Sequence, residues 1–90
     1  MGKLSEQEFE AIVQAVAASV YGQAVERFSV QGFTVAATYR TRSRKGTWVA
    51  DFIFNEETGH YRYSCPYRSA GSPWTFGDEI GRRIREAVAG

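Results

Sequence analysis

The residues best placed for acid–base chemistry lie in "EETGHYR", where His60, the only histidine, follows Glu56 and Glu57 and precedes Arg62. A small nuclease can use such a set: an imidazole and a carboxylate move protons, while Arg62 or Arg40 steadies a phosphate. The plainer account is a solvated histidine behind a turn glycine, Gly59, and the sequence favours it. One histidine and one cysteine, Cys65, fall short of a zinc or iron–sulfur ligand set. Ser64 sits between Tyr63 and Cys65 without the strand–turn–helix setting of a nucleophile elbow, and no glycine-rich phosphate loop occurs. The sequence therefore points to a domain that binds, with no catalytic residue, cofactor or metal expected.

The second candidate is the run "YRTRSRKGTW", residues 39–48, which gathers Arg40, Arg42, Arg44 and Lys45 between two aromatic residues. It is either a grip for an anionic partner or the solvated tip of a β-hairpin. No acid occurs from 40 to 47 to neutralise it locally. The chain as a whole carries a formal charge of only +1, unevenly spread. Residues 1–26 hold four acids and one base, whereas residues 27–90 hold ten bases and six acids. Dedicated nucleic-acid domains are usually more basic than this, so any attraction must come from a local patch.

Length and composition bound the frame that positions these residues. Ninety residues, 43% apolar and 14% aromatic, suit one folded α+β domain spanning 1–90. The lone Cys65 forms no internal disulfide and no signal-peptide pattern opens the chain, which suggests a reducing, cytoplasmic setting. No apolar run approaches the length that crosses a bilayer, and no membrane contact is expected.

"LSEQEF" predicts a helix start, with Ser5 as N-cap, Glu8 as its reciprocal partner, and Leu4 and Phe9 at the staple positions. Phe9, Ile12, Val13, Val16 and Val20 recur at helical spacing, so a helix is expected over 5–21 with Gly22 as its cap. The period then changes from 3.6 to 2. Phe33 to Arg40, Trp48 to Phe54 and His60 to Cys65 each alternate apolar with polar residues and read as strands with one buried face. The segments "SRKG" and "EETG" end in glycine and suit turns with a left-handed last residue. Closing them pairs Tyr39 with Ala50, Ala37 with Phe52, Phe54 with Tyr61, and Phe52 with Tyr63. "RFSVQGF" either adds a fourth strand, folding Phe28 and Val30 back on Val35 and Phe33, or forms one long strand bulged at Gly32; four strands are favoured. After Pro66 a second helix starts at Ser72 or Thr75, with Ile80, Ile84 and Val88 as its stripe. Gly77 and Gly81 beside that stripe imply close backbone approach to the sheet.

The expected architecture is a helix, an antiparallel meander of three or four strands, and a helix, with both helices on the aromatic face. In its order of elements it is similar to the double-stranded-RNA-binding domain. The lysine-rich start of that family's second helix is absent from "SPWTFGDEI", so the likeness stops at topology.

With one face covered, the other is expected to carry Thr34, Ala36, Thr38, Arg40, Arg42, Val49, Asp51, Ile53, His60, Arg62 and Ser64. A polar side is what any half-buried sheet needs, and Arg62 or Arg40 would then neutralise Asp51. Against that plain reading stand the unbalanced bases of 40–45 and the apolar Val49 and Ile53. The expected binding residues are Arg40, Arg42, Arg44, Lys45, Val49, Ile53 and Arg62. An acidic protein is the first expected partner, nucleic acid held by its phosphates the second, and a homodimer through an edge strand or the Val49/Ile53 patch is also open. The rings that single-strand stacking requires have core parity, except Tyr39, Trp48 and Tyr67 near the strand ends. On the second helix, Glu79–Arg83 and Arg82–Glu86 have the spacing of surface ion pairs. Cys65 is expected to be buried, and Trp74 or Phe76 closes the core end or stands out as an anchor.

Overall fold

The structure, a computed structural model, describes residues 3–41, 45–66 and 73–89. Helix α1 (Glu6–Ala17) leads through a short 3-10 turn (Val20–Gly22) into strands β1 (Arg27–Gln31), β2 (Thr34–Tyr39), β3 (Trp48–Phe54) and β4 (Tyr61–Ser64), and helix α2 (Trp74–Ala89) follows. The strands form one antiparallel meander in the order β1-β2-β3-β4. Both helices lie on the face that carries Val35, Ala37, Tyr39, Ala50, Phe52 and Phe54, and bury it with Phe9, Val13, Val16, Phe76, Ile80 and Ile84.

The start of α1 follows from local chemistry. The Ser5 hydroxyl accepts the Glu8 N–H at 3.1 Å, and the Glu8 carboxylate accepts the Ser5 N–H at 2.9 Å. These reciprocal bonds satisfy two donors that a helix leaves without partners. Leu4 and Phe9 are both buried beside the cap, and the Leu4 N–H reaches the Glu56 carbonyl at 3.1 Å.

The helix ends sooner than its apolar stripe predicts. Ser19 donates to the Val16 carbonyl at 2.6 Å and accepts the Tyr21 N–H at 3.2 Å, which offers the backbone an alternative to the next helical turn. Val20 consequently leaves the core and is 65% exposed. Ala18, not Gly22, caps α1. Gly22 instead permits the turn that follows. A Cβ there would stand 2.1 Å from the Ala17 carbonyl oxygen, so the chain can turn back across the helix end only without a side chain.

Parity holds throughout the sheet, while two registers differ from expectation. Phe54 faces Tyr61 and Phe52 faces Tyr63, as the β3–β4 turn predicts. Between β2 and β3, however, Tyr39 faces Trp48, Ala37 faces Ala50 and Val35 faces Phe52, a shift of two residues. Such a shift keeps every side chain on its own face, so the aromatic pattern is equally satisfied by both registers. Strand β2 ends at Tyr39 and β3 begins at Trp48, so the paired ladder closes at those two residues. The fourth strand exists, and its hairpin turns at Gly32 and Phe33, placing Phe28 opposite Ala37 and Val30 opposite Val35.

Helix α2 begins after Pro73, whose carbonyl accepts the Gly77 N–H at 3.0 Å; the expected Ser72 cap lies outside the described residues. Gly77 and Gly81 make the close approaches anticipated for them. A Cβ at Gly77 would stand 2.8 Å from the Phe52 ring, and one at Gly81 would stand 2.4 Å from the Gly59 carbonyl oxygen. Trp74 closes the core end, edge-on to Phe52 at 5.9 Å and to Tyr63 at 4.5 Å between ring centroids. Phe76 is fully buried, and Cys65 is half-buried where a core position was expected.

Candidate binding face

The antiparallel registers arrange the uncovered face in three cross-strand rows. Arg27, Thr38 and Val49 form the first; Ser29, Ala36, Asp51 and Ser64 the second; Gln31, Thr34, Ile53 and Arg62 the third. Val49 and Ile53 thus flank Asp51 on β3, at 46% and 47% exposure, while Arg27 and Arg62 stand exposed at diagonal corners. Thr38 is the exception on this face: flanked by Arg27 and Val49, it is buried. A hollow of about 270 Å³ is lined by Asp51, Ile53, Arg62, Tyr63 and Ser64. A second, of about 340 Å³, shares Ile53 and Arg62 and runs toward Asn55 and His60.

The expected site residues divide in three ways. Val49, Ile53 and Arg62 come together on the face as anticipated, and Lys45 is exposed beside Gly46, whose φ of +100° is the left-handed turn geometry. Arg40 is already paired. It lies beyond the end of β2, and its Nε donates to both Glu26 carboxylate oxygens at 3.0 and 2.8 Å. The acid that balances it is remote in sequence and near in space, because the β1–β2 hairpin brings residue 26 alongside residue 40. Arg42 and Arg44 lie outside the described residues, as do Tyr67 and much of the expected hairpin tip at Ser43 to Gly46.

Asp51 is not neutralised as the plain reading supposed. Its cross-strand neighbours are Ala36 and Ser64, and Arg62 sits one row away opposite Ile53. Arg27 and Ser29 were missing from the sequence-derived face because their strand was uncertain. The alternation of "RFSVQ", with Arg27, Ser29 and Gln31 opposed to Phe28 and Val30, is the signal that finds them.

Among the described residues, no Phe, Tyr or Trp ring stands on this face for base stacking. Tyr39 is fully buried, Trp48 is half-buried, and Tyr63 is half exposed but belongs to the helix-covered side, against Trp74. His60 is exposed, its backbone N–H donated to the Thr58 hydroxyl at 3.2 Å, and no cluster of metal-ligating side chains occurs among the described residues. No helix among the described residues is long and apolar enough to cross a membrane.

The second concentration of charge, on α2, is internally paired. Glu79 is buried and takes hydrogen bonds from Arg82 at 2.9 and 2.5 Å and from Arg83 at 2.9 Å, while Arg82 also pairs with Glu86. The Arg82 bonds hold the Glu79 carboxyl down at about 2, opposed by burial and helped by Arg83. This cluster is occupied with itself.

Compared with protein-family models, curated proteins and solved structures, the chain matches none.

Proposed function

We propose that this is a non-catalytic, cytoplasmic binding domain that engages an acidic protein partner through the uncovered sheet face. The observation that carries the reading is the pair Val49 and Ile53, each nearly half exposed on a face that neither helix covers. Apolar area presented this way is what a partner removes from water, and bases at its rim favour a negatively charged surface. Arg27, Arg62 and Lys45 supply that rim, while Asp51 is the one acid among the described residues of the three rows. Arg40 contributes less than the sequence suggests, since Glu26 already balances it.

The test is binding of purified wild type against two variants, V49S/I53S and R27E/R62E, to an acidic protein first captured with the wild type. Both variants should keep the wild-type melting temperature and lose the partner, the first through lost apolar contact and the second through repulsion. Undiminished binding by both removes the face from the site. A parallel salt titration with generic duplex and single-stranded nucleic acid separates the partner classes. Binding that falls steeply with salt would move the assignment to phosphate contact.

A further inference from the structure

The sheet has an open edge at β1. The Phe33 carbonyl accepts the Phe54 N–H at 2.9 Å, which fixes the alternation of the β2–β3 ladder. In an antiparallel sheet, hydrogen-bonded and non-hydrogen-bonded pairs alternate along each ladder. Val35, Ala37 and Tyr39 therefore turn their backbone groups toward β3, and Thr34, Ala36 and Thr38 turn theirs toward β1. The Thr38 carbonyl confirms this, accepting the Glu26 N–H at 2.7 Å. With Arg27 opposite Thr38, Ser29 opposite Ala36 and Gln31 opposite Thr34, the residues of β1 that face β2 are 27, 29 and 31. The N–H and C=O groups of Phe28 and Val30 point the other way, where no backbone partner occurs among the described residues.

Edges of this kind template further strands unless something blunts them, such as proline, a lysine or a charge aimed inward. "RFSVQ" has no proline, lysine or inward charge: its one charged side chain, Arg27, stands at the start of the strand on the outer face, and its inward side chains are Phe28 and Val30, both only half-buried. Beside its start is a hollow of about 260 Å³ lined by Ala17, Gly22, Val25 and Phe28 among others.

We propose that β1 pairs antiparallel with β1 of a second copy, joining two sheets into one continuous sheet about a two-fold axis at Ser29. The register is selected by both backbone and side chains. It sets Phe28 opposite Val30 of the second copy, and the reverse, so each pair exchanges both its N–H···O bonds. Aromatic and β-branched residues side by side are a favourable cross-strand combination. Ser29 meets its own copy at the closely spaced, non-hydrogen-bonded position, where a small side chain fits. Arg27 meets Gln31, so no like charges oppose each other. A two-fold contact needs such a self-complementary patch. Assembled this way, the two Val49/Ile53 faces lie side by side on one surface.

Sedimentation velocity over a wide concentration range tests the idea, with hydrogen exchange as a second readout. Wild type should shift with concentration from the 10.1 kDa monomer to twice that mass, and the Phe28 and Val30 amides should gain protection in step. The amides of Arg27, Ser29 and Gln31 should be protected throughout. Val30→Pro removes an outward donor without taking a bond from β2, and should stay monomeric with a wild-type circular dichroism spectrum. Ser29→Arg and Ser29→Glu, both on the exposed face, should each weaken self-association about fivefold, because like charges then meet at the axis. An equal mixture of the two should recover it as a mixed dimer. A wild type that stays monomeric at every concentration overturns the proposal, and so does a mixture that associates no better than its components. Loss of acidic-partner binding by V49S/I53S with dimerisation intact would keep this inference separate from the proposed function.

Discussion

Glu79 shows how a residue that reads as surface in sequence becomes structural. Its carboxylate is buried and held at about 2, below the ordinary value of 4.5, first by the Arg82 hydrogen bonds. The folded value lies below the unfolded one, so its stabilising contribution is complete above about 4.5 and fades as pH falls toward 2. Glu79→Gln should cost about 1 to 3 kcal/mol at neutral pH, since Arg82 and Arg83 lose a charged acceptor. Thermal melts from neutral pH down to the acid limit should show that cost shrinking in the acid arm; a difference independent of pH would mean the pair contributes nothing. At the other end of the chain, Ser5→Ala should lower stability by about 1 kcal/mol through the lost cap bond. By NMR the Glu8 carboxylate should stay below its ordinary value, because the backbone N–H at position 5, the first of the contacts that depress it, survives the substitution.

At the scale of elements, α2 is seated by two glycines. Alanine is favoured over glycine in a helix interior by about 1 kcal/mol, so propensity alone makes Gly77→Ala and Gly81→Ala stabilising. Packing reverses that sign. The new methyl at 77 meets the Phe52 ring at 2.8 Å, and the one at 81 meets backbone, the Gly59 carbonyl, at 2.4 Å. Each variant should lose about 1 to 3 kcal/mol in urea titration, with Gly81→Ala the worse because backbone yields less than a ring. A gain in stability would show that α2 sits farther from the sheet. Phe52, the neighbour of Gly77, is also packed against Phe54, Tyr61 and Trp74. Phe52→Ala should cost about 3 to 5 kcal/mol, a large share of what a domain of this size holds.

Across the whole molecule the described charges divide unevenly between the layers. Helices α1 and α2 together carry six acids against three arginines, while on the uncovered face Arg27 and Arg62 stand against Asp51 alone. A small net charge therefore conceals a directional field, and an acidic partner would be steered to the uncovered face. The association rate for such a partner should fall as salt rises, with the dissociation rate changing little. Stopped-flow measurements across a salt series check this; a rate indifferent to salt would leave apolar contact as the only attraction. Reversing Arg40 should matter least for stability, since its ion pair with Glu26 is exposed and such pairs contribute about 0 to 1 kcal/mol.

What the sequence determined by itself was whatever rests on short-range chemistry or on parity. Ser5 and Glu8 are three residues apart and cap the helix wherever it packs; Gly46 and Gly59 mark left-handed turns; the period of two puts Phe52, Phe54, Tyr61 and Tyr63 on one face. Those rules need no knowledge of distant residues. Three things needed the tertiary structure. The β2–β3 register moved by two residues because that shift preserves parity, so the lengths of strand and connection settle it where the hydrophobic pattern does not. Helix α1 stopped at Ala17 because the Ser19 hydroxyl and the return of the chain across Gly22 outweigh one more apolar position in the stripe. The partner of Arg40 was hidden because Glu26, fourteen positions earlier, reaches it only once the first hairpin has folded, and an ion pair forms by distance in space.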